Sequence, residues 1–143
     1  MYSDTISLGN KIKNFIAIIG FTLFGGAFMI IETLKSNIVC EENTVEYTYN
    51  LIKSELEINR NGERRVIDVY GVEIESEVKN KDKNVNQYKE HVSCITPDKY
   101  KGSKLLGLLR NNEVSPVHLI DIIEEYIEEY YADFDKAVQA IAN

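Results

Sequence analysis

Tryptophan is absent from the 143 residues, and cysteine, proline, methionine and histidine occur only twice each. Cys40 and Cys94 are too few for a disulfide framework, and their spacing matches no zinc pattern, so both are expected to be ordinary reduced thiols. A lipoprotein site is not expected either, because the residue before Cys40 is Val39, where such a site needs a small side chain. Positive charge is also short. Sixteen Lys and Arg face 23 Asp and Glu, a net of −7, which argues against general affinity for nucleic-acid phosphates or anionic lipid. Neither a phosphate-cradling glycine loop nor a nucleophile–base pair stands at recognisable spacing, so no cofactor is expected and an enzyme is the less favoured reading.

The remaining composition is that of a globular protein, with 44% hydrophobic and 27% charged residues. A chain of this length supports one core without a staple. Its acid is unevenly placed. From Pro116 onward there are seven acidic residues and one base, whereas residues 59 to 104 hold ten bases and eight acids. The last segment therefore offers an acidic face and the middle of the chain a mildly basic one.

One long uncharged run is present, FIAIIGFTLFGGAFMII over residues 15–31, between Lys13 and Glu32. Its length is at the lower limit for a membrane-spanning helix, so a single-pass anchor is one expectation. The other is that translation starts at Met29 and residues 1–28 are not made. Two consecutive glycine codons at Gly25-Gly26 can spell a ribosome-binding sequence just ahead of Met29. The first reading makes a membrane protein and the second a cytoplasmic one. The organisation expected is an apolar stretch over 1–28, a lead-in over 29–40, and a single α+β domain over 41–143.

Within that domain, Val45, Tyr47, Tyr49 and Leu51 alternate with polar residues, and Ile52, Leu56 and Ile58 continue on the opposite parity. Asn61-Gly62 then supplies a two-residue hairpin turn. Counting outward from Arg60 opposite Glu63 sets Leu56 against Ile67, Ile52 against Gly71, Leu51 against Val72, Tyr49 against Ile74 and Val45 against Val78. On the return strand the parity changes at Gly71, the same height as on the first. One-residue slips flip faces, so the coincidence predicts a long ribbon whose buried side changes near Ile52 and Gly71, through a bulge or positive φ at the glycine. A polar loop over 79–86 and a third strand from Gln87 to Ile95 follow. Thr96-Pro97 and Ser115-Pro116 each read as a hydroxyl cap with proline at the first helical position. The last helix is expected to run unbroken from Pro116 to about Ala140.

Four features are candidates for function. His91 and Cys94 have an H-x-x-C spacing, but residues three apart on a strand face opposite ways, so no metal site is expected. His118 and Asp121 are neighbours on one helix face and could orient an imidazole for acid–base work or bind a small molecule. The acidic helix face lacks the looped oxygen cage of a calcium site. Tyr126, Tyr130, Phe134 and Val138 lie on the stripe of a helix longer than the sheet needs. They form the expected interaction patch, toward a protein partner or a second copy in a homodimer.

Three segments carry a likeness to a known family: VYGVEIE (residues 69–75), SCITPDK (93–99) and NEVSPVHLIDIIEEYI (112–127). Through them the stretch from Met29 to Phe134 resembles a small uncharacterised family, a domain of unknown function, from clostridial-type, spore-forming Gram-positive bacteria. The resemblance implies a cytoplasmic bacterial protein of this architecture. It implies no activity, so no functional residues are carried over.

Overall fold

The computed structural model describes residues 21–23, 28–60, 62–80 and 85–142. Among the described residues, five antiparallel strands come before the helices: β1 (Phe21–Leu23), β2 (Met29–Cys40), β3 (Asn43–Arg60), β4 (Glu63–Lys79) and β5 (Val85–Thr96). After them come α1 (Lys99–Asn111), a 3-10 turn (Pro116–His118), α2 (Leu119–Glu124) and α3 (Ile127–Ala142). The strand order is β1-β3-β4-β5, and β2 pairs with the same edge of β3 further along. This is the α+β architecture that the alternation and helix signals predict.

The β3–β4 ribbon has the expected register at every pair counted from the turn, from Arg60 opposite Glu63 to Val45 opposite Val78. Gly62 has φ +78°, the left-handed conformation that a two-residue hairpin loop requires. Asn61, the other turn residue, lies outside the described residues. The change of buried side is present as well. Tyr49, Leu51, Val72 and Ile74 join one core, and Leu56, Ile58 and Val69, on the opposite face of the same two strands, join another.

Of the two causes expected at Gly71, the bulge is present, carried by the neighbouring strand β5, and the positive φ is not. Between the pairs Tyr70–Thr96 and Val72–Val92, β4 supplies one residue and β5 supplies three, Ser93, Cys94 and Ile95. That bulge presses the β5 backbone onto Gly71, where an added Cβ would meet the Val92 carbonyl oxygen and the Ser93 carbonyl group. It also sends Ile95 into the first core and Cys94 into the second.

Residues 29–40 are a full strand rather than a lead-in. Their inward positions include Glu32 and Ser36, and a register shift between Ile30 and Glu32 breaks the alternation, which hides the strand from an apolar pattern. Glu32 is held by α1, whose Ser103 hydroxyl donates to it at 2.6 Å. The membrane-anchor expectation is also corrected. Phe21–Leu23 and Met29 onward, both within the apolar run, pair with β3 as strands. Among the described residues no helix is long and apolar enough to cross a membrane. Residues 15–20 and 24–27 lie outside the described part.

Helix α1 starts two residues later than Thr96-Pro97 suggests. Asp98 is its cap, accepting from the Tyr100 and Lys101 amides, while the Thr96 hydroxyl accepts from the Asp98 amide. A cap of this kind contributes about 1 kcal/mol. Gly102 then brings α1 close to the sheet, with the site of its missing Cβ 3.0 Å from Leu51 Cδ1. The turn after α1 is tied down by Tyr49, which donates to the Val114 carbonyl at 3.0 Å.

The expected single last helix is broken. Ser115-Pro116 opens a 3-10 turn, and Glu125 and Tyr126 form a second interruption through amide bonds to Ile122 and Ile123. The sheet explains the break. Leu119 and Ile123 belong to the core under α1, whereas Phe134 and Val138 belong to the core on the other face. One straight helix cannot cover two faces of a twisted ribbon, so the chain redirects between them.

Candidate functional site

The structure scatters the residues that spacing groups together. His118 and Asp121 are both exposed, and no hydrogen bond or ion pair engages either side chain among the described residues. The His118 amide closes the 3-10 turn onto the Ser115 carbonyl. His91 is exposed on the strand while Cys94 is buried in the bulge. No group of three or more His, Cys, Asp or Glu among the described residues could hold a metal ion.

The tyrosine patch divides in two. Phe134 and Val138 are packed against Leu56, Ile58, Val69 and Cys94 of their own chain, so the apolar surplus of the last helix is spent inside the molecule. Tyr126 and Tyr130 stay together with ring centroids 6.2 Å apart and turn toward α1. There they line one wall of a groove of about 210 Å³. The opposite wall is Leu105 and Leu108 of α1, with Tyr100 and Lys104 at the mouth. Tyr100 is 75% exposed, an unusually bare aromatic for a residue beside an apolar cleft.

The groove is braced at its base by one cation. Lys101 Nζ lies 2.9 and 2.8 Å from the two carboxylate oxygens of Asp133 and 3.2 Å from Glu129 Oε1, joining α1 to α3. The Asp133 bond, then Glu129, raises the Lys101 pKa against the opposing effect of desolvation. Burial, with Glu129 nearby, pushes the Tyr130 phenol well above its ordinary range, so its hydroxyl stays neutral at any physiological pH. Charge of both signs lines the rim. Lys104 and the exposed Asp98 cap stand on the α1 side, and Glu129, paired with Lys101, stands on the α3 side.

A second polar arrangement lies on the sheet face away from α1. Thr33, Asn50, Glu73 and His91 stand side by side across β2, β3, β4 and β5. Thr33 Oγ1 donates to Asn50 Oδ1 at 2.7 Å, and Asn50 Nδ2 donates to Glu73 Oε1 at 3.0 Å. Asn50 and Glu73 are each only 5% exposed. Sequence alternation missed this row, because it assigns polar residues of a half-covered ribbon to solvent.

The family described as "Family of unknown function (DUF6514)" matches residues 29–129, which span β2 to the start of α3. The chain belongs to DUF6514. No curated protein and no solved structure matches it. The DUF6514 match contains the whole polar row and the groove lining as far as Glu129, leaving Tyr130 just outside, and it begins at the first residue of β2.

The two thiols of this DUF6514 chain are expected to behave oppositely. Cys40 is exposed, and burial pushes the Cys94 thiol up from 9.0 to about 12. Iodoacetamide should label Cys40 at once at pH 8, and Cys94 only after denaturant. A thiol pKa raised by folding adds stability that is fully present below pH 9 and is lost as pH climbs toward 12. Equal labelling of both thiols in the native protein would contradict this placement.

Proposed function

We propose that this protein is a non-enzymatic interaction module whose docking point is the groove between α1 and the start of α3. The observation that carries the reading is the break at Glu125–Tyr126. It turns Tyr126 and Tyr130 onto α1 and leaves an apolar-floored cleft with exposed Tyr100 at its mouth. Tyrosines at the edge of a pocket are the usual anchors of protein recognition, since they bury area while ordering few torsions. Lys104 at the mouth fits an apolar side chain flanked by a carboxylate. The same reading puts the module in the cytoplasm, supported by an acidic composition and two unpaired cysteines.

A photo-crosslinking amino acid at position 100, introduced in the native cell, tests the docking point. A discrete adduct is expected there and not from the same label at Val117, which is 62% exposed and outside the groove. Leu108→Glu, which puts a charge on the cleft wall, should abolish the adduct. Adducts equal at both positions, or unaffected by Leu108→Glu, would refute the site. Light scattering at high micromolar concentration tells self-association from a different partner.

A further inference from the structure

Among the described residues the two barest large apolar side chains are Tyr100, at the mouth of the groove, and Val39, each 75% exposed. Val39 stands at the end of β2, where Cys40 opposes Asn43 and Glu41-Glu42 make a two-residue turn. Glu41 takes φ 53°, a left-handed conformation that hairpin turns ordinarily give to glycine, asparagine or aspartate. The tip of this hairpin therefore presents an apolar side chain that runs into two exposed carboxylates. The other bare apolar side chains have different company. Val66 and Tyr88 have basic neighbours in Arg65 and Lys89, and Val117 stands between Pro116 and His118. Met29 and Ile30 lead to Glu32, which Ser103 already holds. At the groove, Glu129 is engaged by Lys101 and Asp98 by the α1 amides. Lys104 is left as the exposed charge of the mouth with no ion pair among the described residues.

Building on the groove as docking point, we infer that its occupant is the β2–β3 turn of a second copy of this chain. Val39 enters the cleft between Leu108 and Tyr126, and Glu41 meets Lys104. The size of the cleft, about 210 Å³, suits such a guest, since small-molecule sites begin at roughly 300 Å³. A chain cannot fill its own groove. The tip lies beside Asn43, whereas α1 crosses the ribbon at Leu51. That stretch of β3 is about 26 Å long by the rise of a strand. Two copies related by a two-fold axis each place a tip in the other's groove, so the contact closes on a dimer. A tight turn held by two paired strands has little freedom left to lose on docking. Cys40 points to the other side of the strand from Val39, and its thiol stays open to reagents.

The purified full chain at high micromolar concentration, with the photo-crosslinking amino acid at position 100, tests the contact. A covalent dimer is expected, with the crosslink mapped by mass spectrometry to residues 39–42 of the second copy. Light scattering of the unlabelled protein should give about twice the 16.4 kDa of one chain, and Val39→Asp should return it to one. Val39 is bare, so this variant should melt with the parent, which separates lost docking from lost folding. Lys104→Glu should weaken association about fivefold, and adding Glu41→Lys should restore it. A monomeric parent, a crosslink elsewhere in the second copy, or Val39→Asp dimerising as well as the parent would overturn the contact. So would a double reversal no tighter than Lys104→Glu alone. A discrete adduct to a different protein in the cell, with the purified chain monomeric, would overturn self-docking and leave the groove as docking point. No adduct in either setting would end both.

Discussion

Gly71→Ala is expected to lower stability by about 2–3 kcal/mol, and Gly71→Val to leave little folded protein. The reason is backbone against backbone. A Cβ at position 71 would meet the Val92 carbonyl oxygen, with the Ser93 carbonyl carbon and oxygen next. No side-chain rotation relieves that contact, because the bulge in β5 is pinned by Ile95 in one core and Cys94 in the other. Denaturant unfolding measures it as a lowered midpoint at constant slope. Gly107 is the matched control, since a Cβ there meets nothing within 4 Å and the residue sits inside α1. Gly107→Ala should raise stability by about 0.5–1 kcal/mol, the ordinary helix preference. An unchanged midpoint for Gly71→Ala would mean that β5 does not press on β4 in the way described.

Phe134→Ala is expected to cost about 3–4 kcal/mol. Phe134 is one of the buried members of the second core, with Val138 beside it on α3 and Leu56, Ile58 and Val69 beneath on the ribbon. Removing the ring leaves a cavity between a helix and a twisted pair of strands, neither of which has freedom to collapse. The same substitution separates two uses of the last helix. If its apolar stripe closes the protein's own second core, Phe134→Ala lowers the denaturation midpoint and leaves the mass in solution unchanged. If the stripe served mainly to bind a second copy, the mass would fall while the midpoint of the monomer barely moved. A loss of stability below about 1 kcal/mol would place Phe134 outside the core.

How much of this was legible in the sequence follows from how local each cause is. The β3–β4 register was legible to the residue, because a two-residue turn at Asn61-Gly62 and strict alternation leave one way to count. The change of buried side at Ile52 and Gly71 was legible for the same reason, written twice at one height. The helix candidates were found, though Asp98 took the cap from Thr96.

What the tertiary structure alone decided has causes far away in the chain. Met29–Cys40 is a strand because β3 offers an unpaired edge and α1 offers Ser103 to Glu32, neither of which shows in its own apolar pattern. The last helix breaks at Glu125–Tyr126, without proline or glycine, because the two cores it must close lie on opposite faces. That break turns half of the tyrosine stripe into a groove and buries the other half. Gly71 is needed for a bulge in a strand more than twenty residues away, and Glu73 stands buried in a row that four strands assemble. Periodicity records which way a side chain points. Whether anything covers it is settled only when the rest of the chain arrives.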